Sequence, residues 1–268
     1  MAGIAEVERV VVEAERLGYH HVTCSEHVAV PRAVAEVRGA TYWDPLATFG
    51  YLAARTSTIR LATFVLVLGY HHPLAIAKRY GTLDRVCGGR LILGVGVGSL
   101  EEEFDLLGAP FDDRGERGDD AIRALRASLS QPEPSYSGAH YEYEGFVVDP
   151  HAVQERVPIW IGGRTARSLR RAVELADGWA PFGIGTADLA TMLERARQSD
   201  AWARRGTSLA LVLQNERPLD PGAAPERVAE RLATFAEIGT TILSARFVHH
   251  SVDHYIEQLA ALAELASA

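Results

Sequence analysis

Short apolar runs alternate with longer amphipathic stretches along most of this chain, and this alternation limits the possible folds more than any other feature. The apolar runs are continuous, which is typical of strands that are buried on both faces of a parallel sheet covered by helices. Repeated strand–helix units in this number favour a TIM-type (β/α)8 barrel over a doubly wound sheet. We therefore predict an α/β fold of the barrel type.

The chain opens on a predicted helix, so we find seven strands where a (β/α)8 barrel has eight. The strands are predicted at 21–25, 59–68, 91–95, 157–161, 177–182, 208–214 and 241–245. The helices are predicted at 7–17, 45–55, 74–86, 165–176, 186–198, 225–238 and 251–268. The expectation is one barrel domain over residues 1–268 whose first strand is missing from this chain, with an insertion at about 101–156 that holds two charged helices and a hairpin around Glu144 and Gly145.

Composition excludes several classes of partner. A formal net charge of -8, with no basic stripe, argues against nucleic acid, which is bound through an excess of Lys and Arg. The longest apolar runs fall short of the roughly 20 residues that span a bilayer. The two cysteines lack a CxxC spacing, and the N-terminus lacks the apolar core of a signal peptide. We expect a cytoplasmic protein without nucleic-acid or membrane partners.

Five motifs in a fixed order carry a family resemblance. They are SEHV at 25–28, WDPL at 43–46, TIRLATFVLVLGYHHPLAIAK at 58–78, GGRLILGVGVGSLEEEFDLLG at 88–108 followed by DRGERGDDAIRALR at 113–126, and PIWIGGRTARSLRRAVELADGW at 158–179. In this order and spacing they resemble the luciferase-like family, which includes bacterial luciferase, FMN-dependent monooxygenases and coenzyme F420-dependent enzymes. The SEHV form and the Arg/Ala-rich helices look most similar to the F420-using branch.

The resemblance implies a flavin or deazaflavin ring at the C-terminal mouth of the barrel. Glu26 and His27 match the acidic-His pair of the family beside the ring, where His27 would act as a proton donor or hydrogen-bond partner. The alternative is a histidine that caps the strand end and bonds a neighbouring backbone group. Thr63 and Phe64 match the point where F420 enzymes carry a non-proline cis peptide against the ring.

Two glycine-containing turns are the other cofactor-binding candidates. Gly96, Val97, Gly98 and Ser99 follow a predicted strand, and glycines let backbone N–H groups approach a ring edge or an anionic tail. In sugar-phosphate-oxidising F420 enzymes a glutamate takes the place of Ser99, so the serine argues against that substrate chemistry.

The second turn consists of Gly162, Gly163, Arg164 and Thr165, which open a helix and form a candidate phosphate site. The alternative is an ordinary turn in which Thr165 caps the helix.

Other polar clusters carry simpler interpretations. The histidines occur as adjacent pairs rather than at i and i+4, so we predict no metal site. The glutamate run 101–103 is interpreted as a solvated helix N-terminus. Four aromatic residues are candidates for lining an organic substrate pocket: Tyr42, Trp43, Tyr70 and Phe104.

Three functions fit these features. The first is an F420-dependent oxidoreductase that transfers a hydride between the deazaflavin and a small organic substrate. The second is an FMN-dependent luciferase-like monooxygenase, and the third is a non-catalytic flavin-binding relative. A homodimer is expected, because homodimers are common in the family that the chain resembles and an open barrel edge favours association.

Overall fold

The computed structural model describes residues 3–267. The helices are α1 Ile4–Arg16, α2 Arg32–Arg38, α3 Pro45–Ala53, α4 Pro73–Val86, α5 Glu101–Leu107, α6 Arg114–Ser128, α7 Ala166–Leu175, α8 Thr186–Arg197, α9 Asp200–Arg204, α10 Pro225–Glu237 and α11 Val252–Ser267. The strands are β1 His21–Cys24, β2 Arg60–Thr63, β3 Leu66–Val67, β4 Leu91–Gly96, β5 Tyr136–Ser137, β6 Glu142–Tyr143, β7 Ile159–Gly162, β8 Gly178–Ala180, β9 Ala210–Gln214 and β10 Ile242–Ser244. A 3₁₀ turn spans Leu68–Tyr70.

The chain divides into two compact units. The central unit comprises residues 23–53 and 61–161, and the terminal unit comprises residues 1–22, 54–60 and 162–268. The first described element is α1, and strands are found in all seven predicted places, so the predicted alternation is confirmed over residues 3–267. Whether the chain acts as the single domain predicted from the sequence stays a prediction.

The central unit is organised around β4. This strand is buried along its whole length and pairs in parallel with β2 (Leu61 opposite Leu91) and with β7 (Leu93 opposite Ile159). A strand that is apolar throughout and has parallel neighbours on both sides lies in the middle of a sheet. The continuous apolar run LILGVG therefore forms a central strand.

The predicted strand 59–68 is interrupted in its middle. It consists of β2 and β3, which both pair with β4 and are separated by Phe64 and Val65. Phe64 N–H donates to the Cys24 carbonyl, and Glu26 N–H donates to the Val65 carbonyl. The two residues are therefore hydrogen-bonded to the last residue of β1 and to the segment that follows it, and they break the regular ladder.

The hairpin in the 101–156 region lies earlier than predicted. Its strands are β5 and β6, with Tyr136 opposite Tyr143, so the turn falls at 138–141 and the expected turn at Glu144 and Gly145 is wrong. The reason is Asp120 on α6, whose carboxylate accepts hydrogen bonds from the Tyr136 hydroxyl (2.5 Å) and from the backbone N–H groups of residues 140 (2.7 Å) and 141 (3.2 Å). These contacts fix the turn against the helix.

The terminal unit contains β8, β9 and β10, which pair in parallel with Gly178 opposite Ala210 and Val212 opposite Ile242. Its helix α1 buries Val10, Val11 and Ala14, the apolar stripe that the sequence indicates. At the C-terminal end of α1, Glu15 accepts hydrogen bonds from the N–H groups of residues 57–59, at 2.8, 2.5 and 2.9 Å. The side chain of this helix residue thereby holds the segment that leads into β2.

Two short helices were not predicted, α2 and α9. Neither buries a residue, so no apolar period marks them in the sequence. Within the part of the chain that the structure describes, none of the helices is long and apolar enough to cross a membrane.

Candidate active site

The candidate site begins where β1 ends. Residues 25–29 leave the strand and run beside the break between β2 and β3, to which Glu26 N–H is bonded at 3.4 Å. Residues at the carboxyl ends of parallel strands are free to carry function, because the sheet holds their backbone while their side chains point into loops. Glu26 and His27 both lie in this position.

His27 is held by a buried carboxylate. Its Nδ1 lies 2.8 Å from Glu103 Oε2, and the Glu103 side chain is fully buried whereas that of His27 is 27% exposed. Glu103 Oε1 accepts hydrogen bonds from Val28 N–H (2.6 Å) and Ala29 N–H (3.1 Å), and Oε2 accepts another from the Tyr70 hydroxyl (2.8 Å). One carboxylate thus fixes the imidazole, the loop backbone that carries it and a neighbouring phenol.

The charge state of Glu103 decides the tautomer of His27. Burial alone would raise the pKa of Glu103, but hydrogen bonds from His27, Ala29, Tyr70 and Val28 outweigh it and lower the pKa below its ordinary value. An ionised carboxylate only accepts hydrogen bonds, so His27 Nδ1 carries the proton that it donates. The neutral imidazole therefore has its lone pair on Nε2, which is the nitrogen left for chemistry.

Glu26 makes a separate pair. Its Oε2 accepts from Val67 N–H at 2.7 Å, its Oε1 lies 2.7 Å from His71 Nε2, and the residue is 7% exposed. Glu26 and His27, adjacent in sequence, thus contact different partners. Glu26 fixes the end of β3 at Val67 and the histidine after the 3₁₀ turn, and a catalytic role for it stays a prediction.

The segment around Thr63 and Phe64 contains a non-proline cis peptide. The bond is Phe64–Val65, one residue further along than the sequence-based position. Thr63 itself is fully buried, and its hydroxyl donates to the Gly94 carbonyl at 2.7 Å, so it belongs to the regular part of β2. The break falls after that residue.

Two glycines, Gly96 and Gly98, leave room for neighbouring side chains in the turn that Val97 and Ser99 complete. A Cβ on Gly96 would lie 2.7 Å from Val65 Cγ2, and one on Gly98, whose φ is +78°, would lie 2.5 Å from the Phe104 ring. Phe104 is fully buried in this contact, so the expectation that it lines an open substrate pocket is wrong. Ser99 is exposed, Val97 is half-buried, and a cofactor contact for this turn stays a prediction.

Gly162, Gly163, Arg164 and Thr165 lie in the terminal unit. Thr165 caps α7: its Oγ1 accepts from Ser168 N–H at 3.2 Å, and Ser168 Oγ accepts from Thr165 N–H at 3.1 Å. A Cβ on Gly163 would lie 2.5 Å from Ser168 Cβ, so this reciprocal cap requires the glycine. The capping interpretation is therefore confirmed, and it does not compete with anion binding.

The N-terminus of α7 still offers donors. Among the described residues, no acceptor is found for the backbone N–H groups of Ala166 and Arg167, and Arg164 is exposed beside them. Unpaired N–H groups at the positive end of a helix, with an adjacent guanidinium, are the chemistry that anion sites use, and a phosphate contact at this turn stays a prediction.

The sequence did not predict the two carboxylate–histidine pairs, Glu103 with His27 and Glu26 with His71. Glu103 was assigned to a solvated helix start, but it is 1% exposed, and only its neighbours Glu101 and Glu102 are solvated. The sequence feature that indicates burial of Glu103 is its position directly before Phe104, the aromatic residue that anchors α5. His71 belongs to one of the adjacent histidine pairs, from which the sequence predicts only the absence of a metal site, and it is bonded to Glu26.

Two of the predicted pocket residues surround the histidine. The Tyr42 ring lies edge-on to the His27 ring with centroids 4.6 Å apart, and Tyr70 shares Glu103 with it. Trp43 is 38% exposed beside them in sequence. The central unit thus presents a partly exposed imidazole among aromatic side chains, which suits a planar ligand.

The chain combines a parallel α/β fold with a histidine after β1 that is held by a carboxylate on α5, and sequence comparison identifies its family. Residues 1–215 match the model of the luciferase-like monooxygenase family, so the chain belongs to that family. Uncharacterized protein Rv0953c of Mycobacterium tuberculosis is 30% identical over 224 residues, which cover 81% of this chain and 75% of that protein. A second uncharacterized protein of that organism is 29% identical over 197 residues, covering 69% of this chain and 68% of its own.

Solved structures show the same fold at low identity. A monooxygenase from Streptomyces bottropensis has a TM-score of 0.78 at 21% identity, covering 97% of this chain and 92% of its own. The coenzyme F420-dependent tetrahydromethanopterin reductase of Methanopyrus kandleri (0.78, 14%) and an F420-dependent secondary alcohol dehydrogenase (0.79, 15%) each cover 98% of this chain and 94% of their own. The fold class is therefore the TIM-barrel type of the luciferase-like proteins, as predicted.

Proposed function

We propose that this chain is an F420-dependent oxidoreductase that transfers a hydride between the deazaflavin and a small organic substrate. The proposal rests mainly on one observation, the hydrogen bond of His27 Nδ1 to the buried Glu103. This bond leaves Nε2 of a partly exposed imidazole as the group that exchanges a proton with a substrate. Membership of the luciferase-like family supports a flavin-type cofactor, and both an F420-dependent reductase and an F420-dependent dehydrogenase share the fold.

The hydrogen-bond donors at the start of α7 fit a cofactor whose tail carries a phosphate. The N–H groups of Ala166 and Arg167 and the guanidinium of Arg164 are the chemistry that binds a phosphate. The phenol of Tyr42 and the imidazole of His27 offer aromatic edges for a planar ring. Both FMN and F420 carry a ring and a phosphate, so neither feature by itself distinguishes the two cofactors.

When bound, F420 supplies the two-electron chemistry by accepting or donating a hydride. The residues of the chain handle the accompanying proton. His27 Nε2 would take the proton of a substrate hydroxyl as the hydride leaves the carbon that bears that hydroxyl, or would return the proton in the reverse direction. Glu103 holds the ring through Nδ1 and stabilises the imidazolium that forms, which is how a buried carboxylate assists a general-base histidine.

Tyr70 and the loop backbone keep the base in place. Their hydrogen bonds to Glu103 are 2.8 Å from the phenol and 2.6 and 3.1 Å from Val28 and Ala29. A base whose orientation is fixed before the substrate arrives needs no reorganisation during the reaction. Glu26 contributes in the same way to the adjoining segment, through Val67 and His71.

A titration of the purified protein with F420 and, separately, with FMN tests the proposal. We expect saturable binding of F420, followed by its fluorescence, and weaker binding of FMN. His27→Ala should weaken F420 binding, and His250→Ala, which changes an exposed histidine of the terminal unit, should not.

Two outcomes would contradict the F420 assignment. Tighter binding of FMN would move the chain to the flavin-dependent monooxygenases, the second candidate, which shares its fold with the Streptomyces monooxygenase. Binding of neither compound would favour a relative without catalytic function.

A further inference from the structure

The terminal unit contains a cavity of about 640 Å³ that the proposed function does not use. It is lined by residues 181–186, which follow β8, by residues 213–214 and 216–220, which end and follow β9, and by one face of α10. In parallel α/β folds ligands bind outside the carboxyl ends of the strands, and cavities of roughly 300–1,000 Å³ hold small molecules. The position and size of this cavity are therefore those of a ligand site.

The floor of the cavity is apolar. Leu189, Leu213 and Phe235 line it, and their side chains are at most 5% exposed. These residues belong to three different elements, α8, β9 and α10, so the floor is built by the packing of the unit itself. The lining also includes Phe182 and Val248, which are 48% and 44% exposed, and this apolar surface gains free energy when it is covered by the apolar part of a ligand.

The rim of the cavity carries three arginines, Arg217, Arg227 and Arg231, against two acidic residues, Glu216 and Asp220. Within the described part of the chain none of these arginines forms an ion pair with a carboxylate. An excess of unpaired cations is notable on a chain whose net charge is -8. The rim therefore favours a negatively charged ligand.

One of the acidic residues is engaged elsewhere. Asp220 Oδ1 accepts from Gln258 Nε2 at 2.7 Å and from Ala223 N–H at 3.2 Å. These hydrogen bonds, that of Gln258 first, lower the pKa of Asp220. The carboxylate has partners without the arginines, so it does not neutralise the rim.

The two arginines on α10 lie on the same side of the helix, about one turn apart. Arg227 and Arg231 are four residues apart, a spacing at which like charges repel and destabilise a helix. The Arg231 guanidinium lies over the Phe235 ring, 4.7 Å from its centroid, so the cation borders directly on the apolar floor. A ligand with an acidic group next to an apolar body satisfies both features at once, because the anion offsets the repulsion and the body covers the floor.

We propose that this cavity binds an organic anion that has an apolar body and a terminal carboxylate or phosphate, held by Arg227 and Arg231 with Arg217 beside them. The site is composed of terminal-unit residues alone and does not depend on which cofactor the chain uses.

Calorimetric titration of the full chain with octanoate, octyl phosphate and octanol tests the proposal. At least one of the two anionic probes should bind saturably at one site per chain, and neutral octanol should bind at least tenfold more weakly. The double variant Arg227→Gln/Arg231→Gln should weaken the anionic probe about tenfold or more, since hydrogen bonds to charged groups are worth roughly that factor. Arg195→Gln, which removes an exposed arginine of α8 outside the cavity, should change the affinity less than twofold.

A variant that fills the cavity distinguishes a direct loss of ligand binding from a loss caused by misfolding. Val248 lines the cavity and is 44% exposed, so Val248→Trp fills the space without disturbing buried packing. We expect it to abolish binding of the anionic probe while the circular dichroism spectrum is unchanged. Octanol binding as tightly as the anions, or unchanged affinity in the arginine double variant, would overturn the proposal.

Titration of the double variant with F420 and FMN separates this inference from the proposed function. Unchanged cofactor affinity together with loss of the anionic probe supports an independent site. A parallel loss of cofactor affinity would assign the cavity to the cofactor and overturn the inference, whereas the proposed function would stand.

Discussion

Glu103 Oε2 lies 2.8 Å from His27 Nδ1, although the two residues are 76 positions apart in the sequence. The bond joins the loop after β1 to the short helix after β4, within one compact unit. The same carboxylate binds two backbone N–H groups and a phenol. A single side chain therefore fixes the tautomer of the candidate base and the position of its loop.

Replacing Glu103 by Gln should destabilise the protein. The amide nitrogen of Gln would face donors that now point at a carboxylate oxygen, and a buried donor left without an acceptor costs about 1–3 kcal/mol. We expect the free energy of unfolding in urea to fall by about that amount. Glu102→Gln, one residue away on the exposed side of α5, is the matched control and should change it by less than about 0.5 kcal/mol. Equal stability of the two variants would contradict the assigned role of Glu103.

The fold was more predictable than the site. The helices α1, α4 and α7 and the strand β4 follow from local apolar periodicity and from capping residues such as Thr165. These features depend on neighbours in the sequence, and the sequence contains them in full.

The site depends on contacts between distant segments, which local patterns do not report. Glu103 stands in a run of three glutamates, and only the tertiary contact with His27 distinguishes it from the two solvated ones. The hairpin turn was misplaced for the same reason, because Asp120 on α6 fixes it from outside the hairpin. The break after Thr63 likewise coincides with bonds to Cys24 at the end of β1 and to Glu26 beyond it.

The stability of the protein should depend on pH through Glu15. Burial would raise the pKa of this carboxyl, but hydrogen bonds from Thr58, Ile59 and Ser57 outweigh it and lower the pKa from 4.5 to about 2. A pKa that is lower in the folded state gives stability that is complete above the unfolded value and is lost as the pH falls towards the folded value.

The stability difference between the native protein and Glu15→Gln should therefore be constant from neutral pH down to about 4.5 and shrink between about 4.5 and about 2. Urea unfolding at a series of pH values measures it, with Glu102→Gln as a control that lacks these bonds. A difference that persists unchanged to pH about 2 would refute the assignment.

Arg164→Gln should weaken binding of a phosphorylated cofactor and leave its phosphate-free counterpart unaffected. A charge-assisted bond between a guanidinium and a phosphate is worth roughly tenfold in affinity. FMN and riboflavin share one ring and differ by the phosphate, so a fluorescence titration with both isolates the contribution of the anion site. Equal losses for both ligands would show that Arg164 acts on the fold or on the ring instead.

Gly94→Ala should destabilise β4 strongly, because the new Cβ would lie 2.0 Å from the backbone carbonyl oxygen of Thr63, which cannot rotate away. Overpacking of this kind costs about 1–3 kcal/mol or more.

Gly50→Ala is the control and should have the opposite effect. Gly50 lies within α3, and no atom outside its own helix backbone lies within 4 Å of the new Cβ, so alanine should stabilise the helix by about 0.5–1 kcal/mol. Thermal unfolding of both variants tests the contact, and a mild effect of Gly94→Ala would mean that the two strands are further apart.

The most direct measurement of the central claim is the ¹⁵N spectrum of the histidine side chains in labelled protein, recorded before and during titration with F420. In the free protein we expect that His27 Nδ1 is protonated and Nε2 is not, with this tautomer disturbed in Glu103→Gln. On addition of F420 the His27 Nε2 resonance should shift saturably, whereas the His250 resonances should stay in place. A proton on Nε2 in the free protein, or F420 binding that leaves His27 unchanged, would contradict the account.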